Sequence, residues 1–368
     1  MWFDSPGILW VAPNRDFGWR RPRPVGFNAP LMPLDLRTLA KVDLHRHLEG
    51  SVRVATIVDL HRQAGLDLPA WTAEEMAPYA LVTEPVESLE VALNAFGFAQ
   101  RSFVDLDAVR RIGRDAVEDL AADGVRLGEL RFSPDFMCSP AALDWDDALA
   151  ALRAGVDEAV AAGCDVAVGL IVIFSRDFGD DSARRTVDFT LEHRDDVVGF
   201  DIAGPEIGFP ASRYAEQIRR VQDAGVHLTL HYGESGPPPY PAEAIELGTE
   251  RLGHGLTVAW DDGVTALAKE RGVTLEMCPT SNWLTHGVDR VADHPSLRLL
   301  REGLHVTLNT DDPGLMGIDL THEYEAARSE IGFADEDFAA AARNSLAASF
   351  LPPDVVDDVR RRHFSWAS

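Results

Sequence analysis

The stretch DAGVHLTLHYGE, residues 223–234, contains the pattern on which the fold prediction rests. A helical stretch over 213–224 stops at Gly225, and an apolar run then ends in His231 and Glu234. Glycine just past a helix is a common stop signal, and a Val- and Leu-rich run of this length favours a buried strand. The stretch therefore predicts a helix-to-strand step that leaves polar side chains at the carboxyl end of the strand.

The same pattern recurs from Lys41 onward, and helical stretches also stop at Gly124, Gly163, Gly272 and Gly303. We predict eight strands, at 41–47, 125–133, 165–174, 197–204, 226–234, 250–255, 273–282 and 304–313. Eight strands alternating with helices are typical of parallel β/α units that close into a barrel. The predicted fold class is therefore α/β, a (β/α)8 TIM barrel.

Two segments do not fit the simple repeat. Residues 1–34 are rich in Pro, Gly and Trp and lack periodicity, so we expect a poorly ordered N-terminal extension outside the core. Residues 48–124 contain at least three helical patterns, at 53–64, 86–103 and 107–123, which is more than one crossover needs. We interpret this long insertion after strand 1 as a helical lid. The remainder, 35–368, is expected to be a single barrel domain.

Composition restricts the possible partners. The formal charge of −26, from 34 basic and 60 acidic residues, disfavours nucleic acids and anionic membranes as partners and suits a small neutral or cationic molecule. The sequence contains no apolar run long enough to predict a membrane span. Three cysteines without CxxC spacing indicate no disulfide framework, and we expect a cytoplasmic protein.

Polar side chains gather at the ends of several predicted strands. The residues concerned are His45 and His47, His231 and Glu234, His254, and Asp311 and Asp312, and Gly204 adds a fifth strand end through its backbone. In a barrel of parallel strands, all carboxyl ends share one face, and catalytic residues collect there. Each residue also has an ordinary structural interpretation, as a surface pair, a bonded core histidine or a turn residue. Their joint position favours a functional site.

A metal site is predicted from four of these residues. His45 and His47 stand two apart on a strand and point to the same side, so they can share one ion. His231 would add a third nitrogen, and Asp311 an oxygen. Histidine and carboxylate ligands suit zinc, with iron or cobalt as alternatives.

Two further residues are candidates for proton transfer. A carboxyl group partly buried in a barrel mouth has a raised pKa, so Glu234 can act as a general acid. His254 could accept a proton from a metal-bound water. His47-Leu48-Glu49 matches half of a nucleobase-deaminase zinc signature, but its P-C-x-x-C partner is absent, and HExxH is absent too.

The motifs together resemble one family. KVDLHRHLEGSVR at 41–53 looks like the opening motif of adenosine deaminases, and HYGE at 231–234 is similar to their HAGE. Further matches follow in the family's order: DIAGPE (201–206), RLGHG (251–255), CPTSN (278–282), LNTDDP (308–313) and NSLAASFL (344–351). The resemblance covers roughly residues 38–351, and seven motifs in order are very specific.

The resemblance implies a zinc-dependent hydrolase that removes the 6-amino group of a purine nucleoside. One zinc per chain would be bound by His45, His47, His231 and Asp311. Asp311 and His254 would position and activate the attacking water, and Glu234 would protonate N1 of the purine. Asp312 would bond N7 and the Gly204 amide would bond N3, with His47 and Glu49 also at the substrate.

Two departures leave the substrate open. Adenosine deaminases usually have Asp at the position of Glu49, near the 5′ side of the ribose, whereas adenine deaminases often have Glu. Tyr232 replaces a small residue of HAGE and either narrows the pocket or packs behind it. An adenine nucleoside is our prediction, and aminodeoxyfutalosine and adenine are the alternatives. A different hydrolase on this scaffold, or a non-catalytic nucleoside sensor, fits the complete set of residues less well.

Overall fold

The structure, a computed structural model, describes residues 33–86 and 89–367. Leu34 is fixed to the body of the protein, because its N–H donates to Asp335 at 3.0 Å and its carbonyl accepts from Arg328 at 2.8 Å. The prediction for residues 1–34 lies almost wholly outside the described residues.

Eight parallel strands form one sheet in chain order, as the sequence predicts for the barrel. Every strand pairs in parallel with the next one along the chain. The strands are β1 (Lys41–His47), β2 (Val125–Phe132), β3 (Ala167–Ser175), β4 (Gly199–Ala203), β5 (His227–Tyr232), β6 (Arg251–His254), β7 (Thr274–Met277) and β8 (His305–Leu308).

Helices follow each strand and surround the sheet. The first eight are α1 (Val54–Ala64), α2 (Ala73–Ala80), α3 (Leu89–Gln100), α4 (Leu106–Ala122), α5 (Pro134–Cys138), α6 (Trp145–Ala161), α7 (Gly179–Glu192) and α8 (Ala215–Asp223). The remainder are α9 (Pro239–Glu246), α10 (Asp262–Arg271), α11 (Pro279–Leu284), α12 (Ser296–Arg301), α13 (Pro313–Met316), α14 (Leu320–Ala326), α15 (Asp335–Ala348) and α16 (Pro353–His363).

The segment after β1 contains four helices, α1 to α4, which is consistent with the expectation of at least three helical patterns. The additional one is α2, which includes Pro78 and is only eight residues long, so it offers about two turns in which a helical pattern could be recognised. Thr72 caps this helix by accepting the N–H of Glu75. That the segment works as a lid stays a prediction.

The barrel closes where the chain leaves β8. The N–H of Asp311 donates to the carbonyl of His45, and the carbonyl of Asp311 accepts the N–H of His47, both at 2.8 Å. Asn309 adds a side-chain bond, since its Oδ1 accepts the N–H of Leu44 at 3.0 Å. A short backbone bridge from β1 to the residues after β8 therefore completes the ring.

The inside of the barrel is charged, which the apolar strand patterns did not predict. Glu129, Arg131, Asp201, Arg251 and Glu276 are all buried, and they pair with one another across the barrel. Arg131 bonds Asp201 at 2.9 Å and Glu276 at 2.8 Å, while Arg251 lies 2.7 Å from Glu129 and 2.6 Å from Glu276. Paired and bonded charges are the form in which burial is tolerated.

The apolar core lies outside this ring, between strands and helices. On β1, for example, Val42 and Leu44 belong to a buried cluster with Ala342 and Leu346 of α15. No helix among the described residues combines the length and the apolar character that crossing a bilayer requires.

Candidate active site and metal centre

Four side chains converge at the carboxyl ends of the strands. Nε2 of His45 and Nε2 of His47, both on β1, each lie 3.2 Å from Oδ1 of Asp311. Nε2 of His231, at the end of β5, lies 3.2 Å from Nε2 of His47. The structure thus brings together the four residues that the sequence predicts as metal ligands.

Carboxylates hold two of the histidine rings from behind. Nδ1 of His45 lies 2.8 Å from Oε2 of Glu276, and Nδ1 of His231 lies 2.7 Å from Oδ2 of Asp201. A carboxylate at Nδ1 favours the tautomer in which Nδ1 carries the proton and Nε2 is free to bind a metal. Both rings therefore present a ligand nitrogen to the shared point.

One arginine joins the two supporting carboxylates. The guanidinium of Arg131 bonds both Asp201 and Glu276, so a single fully buried cation orients the partners of His45 and His231. Burial opposes ionisation of Glu276, but Arg131 and Arg251 outweigh it and hold its pKa well below the ordinary value. Asp201 likewise has a lowered pKa, because His231 and Arg131 outweigh its burial.

The protonation states suit metal binding. Burial lowers the pKa of His45 and lowers the pKa of His231 well below its ordinary value, so both rings are neutral near pH 7. Asp311 is also buried, but the nearby rings of His254, His45 and His47 hold its pKa well below the ordinary value. Neutral imidazoles and an ionised carboxylate are the forms that bind zinc.

The spacing of the ligand atoms fits a small cation. Ligands about 2.0–2.1 Å from a zinc ion lie roughly 3.0–3.5 Å from each other, which includes the 3.2 Å separations seen here. Nε2 of His45 is buried and makes no hydrogen bond to any of the residues that the structure describes. Imidazole nitrogens that face one another at such a distance, with one left unpaired in the protein, indicate that a cation belongs between them.

His254 also reaches this point. Possible ligand atoms of His45, His231, His254 and Asp311 all lie within 4.8 Å of one another, and those of His47, Asp311 and Asp312 form a second such group. Nε2 of His254 is 3.8 Å from Oδ2 of Asp311 and 3.9 Å from Oε2 of Glu234. His254 and Glu234, the two predicted proton-transfer residues, therefore face each other beside the ligands.

Glu234 is placed by a second glutamate. The carboxylate of Glu206, which follows β4, accepts the N–H groups of Gly233, Glu234 and Ser235, each at 2.8 Å. Glu206 thus caps the turn after β5, and the Glu234 carboxyl group is not needed to hold that turn. Burial raises the pKa of Glu234, and nearby Asp311 adds to the rise against the opposing effect of His254. A protonated Glu234 is the form that a general acid needs.

Two site residues have a left-handed backbone. His254 has φ of 62° and Asp311 has φ of 64°, a conformation that costs of order 1–3 kcal/mol for residues other than glycine. Ser281 helps to hold Asp311, since its hydroxyl donates to Oδ2 at 2.6 Å. Gly253 leaves space for the rings of His45 and His231, because a Cβ at position 253 would lie only 3.0 Å from both rings.

Asp312 and Glu49 stand side by side next to the ligands. Oδ1 of Asp312 rests against Gly50, where a Cβ would be only 1.7 Å away, so residue 50 must be glycine. Burial, together with Asp311, Glu49 and Glu234, raises the pKa of Asp312 well above its ordinary value. Glu49 is buried, its Oε1 accepts the N–H of Ser133 at 2.7 Å, and burial raises its pKa to about 7.

Tyr232 packs behind the site. Its ring is fully buried, its hydroxyl donates to the carbonyl of Phe209 at 2.9 Å, and the guanidinium of Arg176 lies 4.3 Å from its centre. Arg176 also donates to the carbonyls of Gly204 and His231. Of the two alternatives for Tyr232, packing behind His231 is the one that the structure confirms.

Several supporting residues were missed in the sequence. Asp201 and Glu276 are acidic residues inside apolar strands, and that mismatch is a signal that a bonded partner lies across the barrel. Glu206 belongs to the DIAGPE motif, but nothing local shows that it reaches the turn after β5. Asn282 ends the CPTSN motif, but nothing local shows that its side chain lies between His254 and His294, at 3.1 Å from each.

The comparisons with known proteins agree with this geometry. A family model described as adenosine deaminase matches residues 40–362. The adenosine deaminase of Erwinia tasmaniensis is 38% identical over 328 residues, which cover 88% of this chain and 98% of that protein. The solved adenine deaminase of Arthrobacter aurescens is 28% identical with a TM-score of 0.78, covering 88% of this chain and 98% of that one. A zinc-bound amidohydrolase from Burkholderia ambifaria is 26% identical with a TM-score of 0.80, covering 92% and 94%.

Proposed function

This chain belongs to the adenosine deaminase family of hydrolytic deaminases, and from that premise we propose that its substrate is an adenine nucleoside and its metal is zinc. The reaction converts adenosine or 2′-deoxyadenosine and water into the inosine product and ammonia. The observation that carries the proposal is that Nε2 of His254 lies 3.9 Å from Glu234 and 3.8 Å from Asp311, beside the three other histidines of the site.

The metal would be held by His45, His47, His231 and Asp311. When bound, zinc lowers the pKa of a coordinated water toward neutrality, which makes hydroxide available near pH 7. The rings of His45 and His231 are fixed for this task by Glu276 and Asp201.

Glu234 gives its proton to N1 of the purine, which draws electrons from C6 and makes that carbon electrophilic. Asp311 takes a proton from the attacking water as the oxygen bonds to C6. The C6–N bond then breaks, and the amine takes the proton held by Asp311 and leaves as ammonia. The hydroxyl group at C6 gives its proton to the Glu234 carboxylate as the carbonyl forms, which restores the acid, and N1 keeps the proton that it received. Two carboxyl groups with pKa values shifted in opposite directions, Glu234 upward and Asp311 downward, support this division into acid and base.

Asp312 and Gly204 would orient the purine ring at N7 and N3. Asp312 has a raised pKa, so its protonated carboxyl can donate to a ring nitrogen, which has only a lone pair to offer. Gly204 has φ of 84°, and a Cβ there would lie 2.6 Å from the Ser175 hydroxyl oxygen. Only glycine therefore fits at position 204, where the backbone N–H would bond N3.

The nucleoside assignment rests on the 38% identity to an adenosine deaminase against 28% to an adenine deaminase. The test compares kcat/KM for adenosine, 2′-deoxyadenosine, adenine and aminodeoxyfutalosine on the zinc-loaded enzyme. We expect the two simple nucleosides to lead. Adenine or aminodeoxyfutalosine exceeding adenosine in kcat/KM would replace the proposed substrate, and no turnover of any of the four would reject the proposal.

Glu49 provides the matched variant. Glu49→Asp restores the residue that adenosine deaminases usually have, in a position that is buried and fixed by Ser133. If Glu49 contacts the 5′ side of the ribose, this change alters the ratio of kcat/KM for adenosine to that for adenine. An unchanged ratio would remove Glu49 from the substrate-binding residues.

A further inference from the structure

Behind His254, on the side away from the metal ligands, three hydrogen bonds run in series. The N–H of Ser296 lies 3.3 Å from Nδ1 of His294, and Nε2 of His294 lies 3.1 Å from Oδ1 of Asn282. Nδ2 of Asn282 lies 3.1 Å from Nδ1 of His254. All four residues are buried, so water does not compete for these bonds.

The direction of every bond in the series follows from its first member. A backbone N–H can only donate, so Nδ1 of His294 accepts and its proton is on Nε2. That proton is donated to Oδ1 of Asn282, which turns the amide NH2 toward His254. Nδ1 of His254 therefore accepts, and a neutral His254 carries its proton on Nε2.

The protonated nitrogen is the one that faces the reaction. Nε2 of His254 lies 3.9 Å from Oε2 of Glu234 and 3.8 Å from Oδ2 of Asp311. A nitrogen that already carries a proton cannot take another from water. It can donate a hydrogen bond to an oxygen placed between these groups.

The series is rigid at its other members. The carbonyl of Asn282 accepts the N–H groups of Gly287 and Val288 at 2.7 and 3.1 Å, which fixes the end of α11. Burial, with a further effect of His254, lowers the pKa of His294 to about 3, so His294 stays neutral and keeps one proton to donate.

We propose that Asn282 and His294 are positioning residues that hold His254 as an Nε2–H donor toward the attacking oxygen, so that Asp311 alone takes the proton of water. This revises the sequence-based expectation that His254 accepts that proton. The inference rests on the proposed function for the reaction, but the tautomer belongs to the protein itself and can be measured without substrate.

The direct test is ¹⁵N NMR of the zinc-loaded protein labelled at its 12 histidines. The signals of His254 are identified by their loss in His254→Gln. We expect an unprotonated Nδ1 and a protonated Nε2. A proton on Nδ1 of His254 in the unsubstituted protein would overturn the proposal. Absence of turnover on every purine would reject the proposed function, but it would not affect the measured tautomer of His254, because that measurement uses no substrate.

The second test compares two changes at one position. The amide of Gln can still donate to Asn282, whereas Leu cannot and lets the Asn282 amide turn over. Losing a preorganised donor costs roughly 10²–10³ in kcat, so we expect His294→Leu to lower kcat at least about tenfold and His294→Gln to retain most of it. KM should change little in either variant, since ground-state purine binding does not use this bond.

A control variant distinguishes the effect of breaking this series of hydrogen bonds from the effect of losing any buried histidine ring. His61 is also a fully buried histidine, bonded to Ile57 within α1. His61→Leu should leave kcat and the His254 tautomer unchanged. A folded, zinc-loaded His294→Leu with unchanged kcat would contradict the proposal, and if that variant does not fold, the NMR measurement on the unsubstituted protein decides.

Discussion

Asp311 is bound to His47 twice, through its carbonyl oxygen, which accepts the N–H of His47 at 2.8 Å, and through Oδ1, which lies 3.2 Å from Nε2 of that ring. The first contact closes the barrel between β1 and the end of β8. The second assembles half of the proposed metal site. Barrel closure and ligand assembly therefore depend on the same residues, and metal binding should stabilise the fold.

We first predict that removing the metal lowers the melting temperature. A ligand that binds only the folded state stabilises it by about 2.7 kcal/mol at 100 times its Kd. Differential scanning calorimetry of the protein with and without a chelator should show the loss, and added zinc should reverse it. A chelator that removes about one zinc per chain without changing the melting temperature would show that the barrel closes between β1 and the end of β8 independently of the metal.

Asp201→Asn should weaken zinc binding without abolishing it. Loss of a carboxylate behind a ligand histidine typically costs about 10–100-fold in metal affinity. Competition with a chromogenic chelator measures the change. Asp146→Asn is the matched control, because Asp146 also bonds a histidine, His193, but at the surface. Equal zinc affinity in both variants would mean that Asp201 serves only its ion pair with Arg131.

Glu234→Gln should remove the acid while keeping its size. General acid catalysis is typically worth roughly 10²–10⁴-fold, so kcat should fall by about that range with a normal zinc content. Glu206, not Glu234, caps the turn, so the fold should be preserved. Glu246→Gln, an exposed glutamate at the end of α9, is the control. An unchanged kcat would show that Glu234 is not the acid. Loss of zinc together with loss of kcat would instead indicate that Glu234 is a ligand or a structural residue.

Stability should fall with rising pH because of Glu323. This fully buried residue accepts the N–H of Thr280, and burial raises its pKa from 4.5 to about 8. Between pH 4.5 and 8 the folded state binds more protons than the unfolded state, so the free energy of unfolding decreases across that window. The difference corresponds to at most roughly 5 kcal/mol.

Chemical denaturation at several pH values measures this effect. Glu323→Gln should flatten the decrease, since its amide can still accept from Thr280 and does not ionise. Glu325→Gln, on the same helix but exposed and paired with Arg37, should behave like the unsubstituted protein. Parallel pH profiles for the unsubstituted protein and Glu323→Gln would show that Glu323 is not the responsible group.

A chain that starts at Met32 should keep its kcat. The expected extension, residues 1–34, precedes the eight β/α units, and Leu34 retains its bonds to Arg328 and Asp335 in such a chain. Steady-state kinetics on the shortened protein test this. A large fall in kcat with an unchanged melting temperature would mean that the extension contributes to the active site.

The order of the elements and the residues at the strand ends could be predicted from local sequence patterns. Apolar runs that follow helix-stopping glycines are local patterns, so eight strands could be read directly, and β1 was predicted with its observed limits, Lys41–His47. Convergence of His45, His47, His231 and Asp311 followed from the topology alone, because all strand ends of a parallel barrel share one face.

How those residues are held and oriented depends on contacts between distant parts of the chain. His45 meets Glu276 across 231 positions of sequence, and Asn282 meets His254 across 28, so no local pattern records either contact. The direction of Tyr232 and the tautomer of His254 depend on which neighbours surround each side chain after folding. Hydrogen bonds and ion pairs act over a few ångströms in space, and the folded chain alone determines which groups come within that range.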